Sequence, residues 1–298
     1  MSSALAWERE GKLWPHREAS QFVTAGGLDW HVQRMGSGPE LLLLHGTGAS
    51  CHSWQGMMPL LAEHFSLIVP DLPGHAFTVG RLRGGPSLAN MTRAIGALLA
   101  ELGATPAAIA GHSAGVAIAL DHARQTDPAL PVIGVAPAIT PFPGLAAKLF
   151  PAMAKLLFVN PLVPRIFAAS TRFPGEAKRF VFRSTGSHTG AVELACYEAL
   201  LGNARHCEGA LEMMANWDLE AFAESLPDIA NPLLLVHGNK DKAVPYTAAE
   251  AAAECIPNCI FATIHGGHLC HEEQPELVSR LLVGQGRKHG ILPPKESA

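Results

Sequence analysis

Residues 109–117 read IAGHSAGVA, an apolar run, then a serine between two glycines, then alanine-rich sequence. A Gly-x-Ser-x-Gly match decides nothing alone, because a chain of this composition supplies roughly 0.14 of them by chance. Its meaning depends on whether a strand ends and a helix begins there. Short apolar runs recur at 41–44, 67–69, 107–110, 132–135, 233–236 and 260–264, and each predicts a strand covered on both faces. Helical patterns fall between them, at roughly 54–64, 87–102, 113–125, 247–255 and 275–282. SQFVT and LDWHVQR, joined through Ala25-Gly26-Gly27, predict an opening hairpin. This alternation is the mark of an α/β protein with a mostly parallel central sheet flanked by helices. Ser113 then stands at a strand-to-helix junction.

The alternation breaks once. Between Pro137 and Asn231 no central strand is evident, and the segment reads as short helices punctuated by Pro141, Pro143, Pro151, Pro161, Pro164 and Pro174. The expected organisation is a core of residues 1–136 and 217–298, with a helical cap, 137–216, inserted after the sixth strand.

Composition narrows the function classes. The chain has 298 residues, 48% of them hydrophobic and 16% charged, which suits one large globular domain rather than a disordered segment. A formal net charge of −4 gives no reason to expect nucleic acid as a partner. MSSALAWEREGKLW has early acids and no apolar core of a signal peptide, and no uncharged apolar run reaches ~18 residues. A soluble, cytoplasmic protein is expected. Six scattered cysteines predict reduced thiols. The grouping Cys255, Cys259, His265, His268, Cys270 and His271 matches no zinc spacing, so neither a metal nor another cofactor is expected.

A serine at such a junction is exposed above the sheet on a strained turn, and Gly111 and Gly115 suit it because strand and helix pass closely there. Its hydroxyl needs a base and an orienting acid. Asp241, in VHGNKDKAVP after the run 233–236, and His268, in IHGGHLCHEEQPE after the last run, follow in the order Ser, Asp, His. Taken singly, Asp241 reads equally well as a helix cap and His268 as a turn histidine. An oxyanion hole needs two backbone donors. Ala114 offers one, and the loop His45-Gly46-Thr47-Gly48 offers the Thr47 N–H, with Gly46 letting the backbone turn towards the serine. Asp71, in PDLPGHAFT, reads as a loop brace.

With these motifs in order, the chain resembles the α/β-hydrolase family over nearly its whole length. Within that family it is similar to the magnesium-chelatase accessory proteins of bacteriochlorophyll biosynthesis, on WEREGKLWPHREASQFV, WHVQRMG, LLLLHGTGASCHSW, PDLPGHAFT, GHSAGVAIAL, NPLVPRIFA and MMANWDL. One departure is Ala76, where the family usually has glycine in a Pro-Gly-His-Gly turn. The resemblance implies a role beside magnesium insertion into protoporphyrin, with magnesium chelatase as a partner.

Three functions fit these residues. One is a serine hydrolase acting on a small apolar ester or related acyl bond. A second is a perhydrolase, haloperoxidase or C–C hydrolase using the same triad. The third is a non-catalytic accessory protein that binds a porphyrin intermediate or the chelatase. No Asp or Glu lies between Pro128 and Gly175, while Lys148, Lys155, Arg165 and Arg172 do. An ordinary amphipathic lid accounts for this, and so does a surface for an anionic amphiphile, either a porphyrin or an acidic membrane met peripherally.

Overall fold

The computed structural model describes residues 4–141, 160 and 162–295. The described strands are β1 (Ser20–Ala25), β2 (Leu28–Met35), β3 (Glu40–Leu44), β4 (Ser66–Pro70), β5 (Val79–Gly80), β6 (Ala108–His112), β7 (Val132–Val135), β8 (Leu233–Gly238) and β9 (Cys259–Ile264). They form one sheet in the order β1-β2-β4-β3-β6-β7-β8-β9, with β5 paired to β2. The pairs β1–β2, β2–β4 and β2–β5 are antiparallel, and every pair from β4–β3 to β8–β9 is parallel. The expected hairpin turns through Gly26 and Gly27 at φ 59° and 80°, left-handed values that glycine tolerates.

Continuous apolar strands follow from a sheet packed on both faces. Leu41 and Leu43 point into one core, with Trp54, Met58, Leu61, Val278 and Leu282. Leu42 and Leu44 point into the other, with Leu98, Val116, Ile118 and Ala252. The first core is roofed by helices Met58–Ala62 and Pro275–Lys288, the second by Leu88–Leu102, Ala114–Thr126 and Tyr246–Cys255. The helix expected over 54–64 is instead a 3-10 turn, Cys51–Trp54, then the short helix Met58–Ala62, because Pro59 fits only a helix's first turn.

The strand at 260–264 departs from expectation. β9 is the sheet's last strand, and Ile260 on it is 45% exposed. Its apolar run reflects β-propensity on a half-covered edge rather than burial on both faces.

Between β7 and β8 the described residues hold four helices of more than eight residues: Val163–Thr171, Glu176–Thr185, Ala191–Leu201 and Ala204–Asn216. The count of preceding strands is seven rather than six, because the two-residue β5 carries too short a signal to be seen in sequence. Lys148 and Lys155 lie outside the described residues. Arg172 donates from Nε and Nη2 to the Gly202 carbonyl, which ties one of these helices to another. Among the described residues no helix is long and apolar enough to cross a membrane.

The strand order also places a crevice. From β3 the chain steps to β4 on one side and later to β6 on the other, so β3 and β6 are neighbours whose following loops diverge. In open α/β sheets ligands bind where the order reverses, beyond the strands' carboxyl ends. Gly46 and Thr47 follow β3 there, and Ser113 follows β6.

Candidate active site

Ser113 is the residue between β6 and the helix Ala114–Thr126, and its backbone takes φ 52°, ψ −118°. A non-glycine residue pays for such a conformation, so the surroundings must impose it. The Ser113 N–H donates to the Val135 carbonyl at 2.9 Å, and its carbonyl accepts from Val116 and Ala138. The glycines explain how the turn closes. A Cβ on Gly115 would collide with the carbonyls of Leu44 and His45, and one on Gly111 with the backbone of Gly115 and Val116. The Ser113 side chain makes no capping bond to the helix that it precedes.

His268 and Asp241 arrive from two loops, after β9 and β8. His268 Nδ1 donates to Asp241 Oδ2 at 2.8 Å, which leaves Nε2 as the imidazole's acceptor. The other oxygen, Asp241 Oδ1, accepts from the Ala243 and Val244 N–H groups at 2.7 and 2.9 Å. Of the two readings of Asp241, the structure shows the one that meets a histidine; the next helix, Tyr246–Cys255, has Pro245 at its N-cap and no side-chain capping bond. The Asp241 side chain is fully buried, and that of His268 is 9% exposed.

Three hydrogen bonds fix the histidine loop further, one from beside the serine and two from residues 185–187. His112, directly before the serine, donates from Nε2 to the His268 carbonyl at 3.1 Å. Burial holds this imidazole well below its ordinary pKa, so it is a neutral strut rather than a base. From the helical segment, the Thr185 carbonyl accepts from the His268 N–H at 2.8 Å, and Ser187 Oγ accepts from Leu269 N–H. Residues 185–187 thus clasp the loop that carries His268. Sequence reasoning found neither: His112 was read only as part of a motif, and 185–187 lie in a segment without periodic pattern.

The loop after β3 is equally determined. Gly46 abuts the serine, since a Cβ there would come within 2.9 Å of Ser113 Cβ. The Gly46 carbonyl accepts from His45 Nδ1 at 2.8 Å and from the Ala49 N–H at 3.2 Å. In a trans peptide the next N–H points the opposite way, so these bonds aim the Thr47 N–H away from them. His45 Nε2 accepts from Leu72 N–H, and burial lowers its pKa to about 3, which keeps the tautomer neutral. Ala114 is the first residue of its helix, where N–H groups precede the intrahelical ladder.

Asp71 is a brace. Its carboxylate, wholly buried, accepts from the Cys51 and Phe77 N–H groups and from His31 Nδ1. His31, Cys51 and Asp71 are also the one grouping of metal-ligand side chains among the described residues. Their geometry is that of a hydrogen-bonded knot, and burial beside Asp71 pushes the Cys51 thiol far above its usual pKa. The cysteine–histidine grouping of the sequence disperses, with His268 on Asp241 and His271 on Ser53.

At Ala76 the family's glycine preference has a visible reason. The residue sits at φ 41°, left-handed, and its N–H donates to His206 Nδ1 at 3.1 Å. His206 Nε2 donates in turn to the Gly48 carbonyl. One imidazole from the helix Ala204–Asn216 therefore pins both loops beside the serine.

A family model described as the alpha/beta hydrolase family matches residues 41–281. A magnesium-chelatase 30 kDa subunit of Rhodobacter capsulatus is 41% identical over 276 residues, covering 91% of this chain and 95% of that protein. A pimeloyl-[acyl-carrier protein] methyl ester esterase of Aromatoleum aromaticum is 31% identical, over 79% of this chain and 94% of its own. Among solved structures, the haloalkane dehalogenase DbeA from Bradyrhizobium elkani superposes with a TM-score of 0.73 at 22% identity, covering 91% of this chain and 98% of its own. At that identity the likeness concerns the fold.

Proposed function

The chain belongs to the alpha/beta hydrolase family, and from that premise we propose that it is a serine hydrolase acting on an ester or related acyl bond of a small apolar substrate. Ser113 is the nucleophile, His268 the general base and then acid, and Asp241 the group that holds the imidazole. The observation that carries the reading is the His268–Asp241 bond, made by side chains 27 residues apart at the sheet edge where Ser113 follows β6. The hydroxyl proton passes to His268 Nε2 as Ser113 Oγ attacks the acyl carbon. The tetrahedral oxyanion faces the N–H groups of Thr47 and Ala114, donors that need no reorganisation as charge develops. The alcohol departs with the proton from His268, and water repeats the sequence on the acyl-serine. The described helices between β7 and β8, from Val163–Thr171 to Ala204–Asn216, serve as the lid over this site.

Labelling by a fluorophosphonate, with Ser113→Ala as control, tests the assignment. Labelling of the native chain is expected, with none in the variant, and ester turnover should drop by on the order of 10⁶. Equal labelling of both proteins would refute the role of Ser113.

A second reading rests on the relative from Rhodobacter capsulatus, 41% identical along 91% of this chain. In it the protein works beside magnesium chelatase, with a porphyrin intermediate as ligand or substrate. Chelatase assays with native protein, with Ser113→Ala and with neither separate the two readings. Stimulation that survives Ser113→Ala makes the accessory task one of binding.

A further inference from the structure

Directly after His268, the short helix Cys270–Glu273 carries a carboxyl group that the hydrolytic scheme does not use. Glu272 Oε1 accepts from Ser53 Oγ at 2.5 Å and from Tyr197 Oη at 2.7 Å. Ser53 belongs to the 3-10 turn after β3, and Tyr197 to the helix Ala191–Leu201 between β7 and β8. Ser53 Oγ also meets His271 Nε2 at 2.9 Å, and the His271 ring lies 4.3 Å from that of His112, the strut under His268. Three separate segments thus converge on one carboxyl, four residues from the catalytic imidazole. Glu272 Oε2 is buried and has no partner among the described residues.

We propose that Glu272 is a positioning residue for His268, joining the imidazole's turn to the core through Ser53 and to the overlying helix through Tyr197, and that it does so as an uncharged acid. The proposal rests on the assignment of His268 as the base.

The charge state follows from what surrounds the group. From the 3-10 turn it is faced by Ser53 and by His52, whose pKa burial lowers to about 3. From its own helix come His271, also lowered to about 3, and Glu273. From the helix Ala191–Leu201 come Tyr197, Glu193 and Cys196, the last two acidic or neutral. No member of this shell is a cation at neutral pH, and Glu193 and Glu273 repel a second negative charge. Burial therefore pushes the Glu272 carboxyl up to about 8, against the lowering effect of the Ser53 and Tyr197 bonds. Above that pH a carboxylate forms in a site with no counter-ion among the described residues, and relief comes from drawing solvent into the junction. The turn bearing His268 then loosens.

The test follows fluorophosphonate labelling of Ser113 from pH 6 to 9.5, with each protein normalised to its own rate at pH 7. Amide hydrogen exchange of residues 265–273 is followed over the same range and corrected for intrinsic rates. In the native chain, labelling should fall about tenfold above a midpoint near pH 8, and protection of 265–273 should fall with it. Glu272→Gln fixes the uncharged form, so its labelling should lack that alkaline limb and its protection should stay constant. The same alkaline limb in both proteins, or no limb in the native chain, overturns the proposal. If neither protein labels at any pH, the hydrolase reading fails, and hydrogen exchange still decides whether Glu272 fixes this turn.

Discussion

Asp241 uses each carboxylate oxygen differently, and that division makes a sharp test. Oδ1 accepts two backbone N–H groups, and Oδ2 accepts the His268 Nδ1 proton. In Asp241→Asn the carbonyl oxygen must stay with Ala243 and Val244, since an NH₂ group cannot accept their protons. The amide nitrogen then faces His268 Nδ1 and forces the proton to Nε2, where it blocks transfer from Ser113. The fold should survive, because both backbone bonds do. Ester turnover should fall by on the order of 10⁴, measured alongside far-UV circular dichroism to separate tautomer from unfolding. A fully active Asp241→Asn would mean that another acid orients the histidine. The places of Ser113, Asp241 and His268 in the fold were legible because each follows an apolar run that forms a strand. Glu272 was not legible. A glutamate in HEEQPE reads as a solvated helix face, and only tertiary packing brings Ser53 and Tyr197 onto it.

At the scale of elements, the helix Ala204–Asn216 decides how the segment between β7 and β8 meets the sheet. It approaches backbone to backbone. A Cβ on Gly209 would meet the Cα of Gly74 at 3.0 Å and collide with its carbonyl, and Gly74 turns at φ 80°. His206, one turn earlier on the helix, reaches Gly48 and Ala76 from that close seat. Gly209→Val should push the helix off the turn, cost about 1–3 kcal/mol through overpacking, and release both His206 bonds. Urea unfolding measures the first effect. Slower fluorophosphonate labelling of Ser113 reports the second, through a looser Gly46–Gly48 loop. An unchanged unfolding midpoint would show that the turn yields without strain. Sequence pattern found the elements themselves well, since β3, β6, β7 and β8 carry unbroken apolar runs. It missed how helices seat on loops, because Gly209 inside a helix reads as a weak position rather than a contact. It also took β9 for a buried strand, as an edge strand of Ile, Phe and Ala has the same apolar look.

For the whole molecule, buried histidines set the stability against acid. His45, His52, His206 and His271 are lowered to about 3, His75 to about 4, and His112 further, in each case chiefly by burial. Several work as neutral staples on backbone: His45 to Gly46, His112 to the His268 carbonyl, and His206 to Gly48. Unfolding returns each imidazole to water, where it binds a proton near pH 6.5. The folded-state values are depressed, so this stability is fully present above pH 6.5 and is lost as pH falls towards 3. Each histidine removes up to about 1.4 kcal/mol per pH unit. Glu272 has the opposite sign, because its raised pKa adds stability as pH falls from about 8 towards the ordinary carboxyl range. One group against six leaves the histidines in control. One pH unit below 6.5 the net loss relative to pH 8 is about 5 kcal/mol, comparable with the whole stability of a marginal domain. Cooperative unfolding is therefore expected between about pH 5 and 6, well above the range where carboxylates titrate. Tryptophan fluorescence followed through an acid titration measures the midpoint. Stability by urea at several pH values gives a slope equal to the protons taken up, expected at about five. A chain that stays folded to pH 4, or a slope near one proton, would mean that these imidazoles are hydrated or charged in the native state.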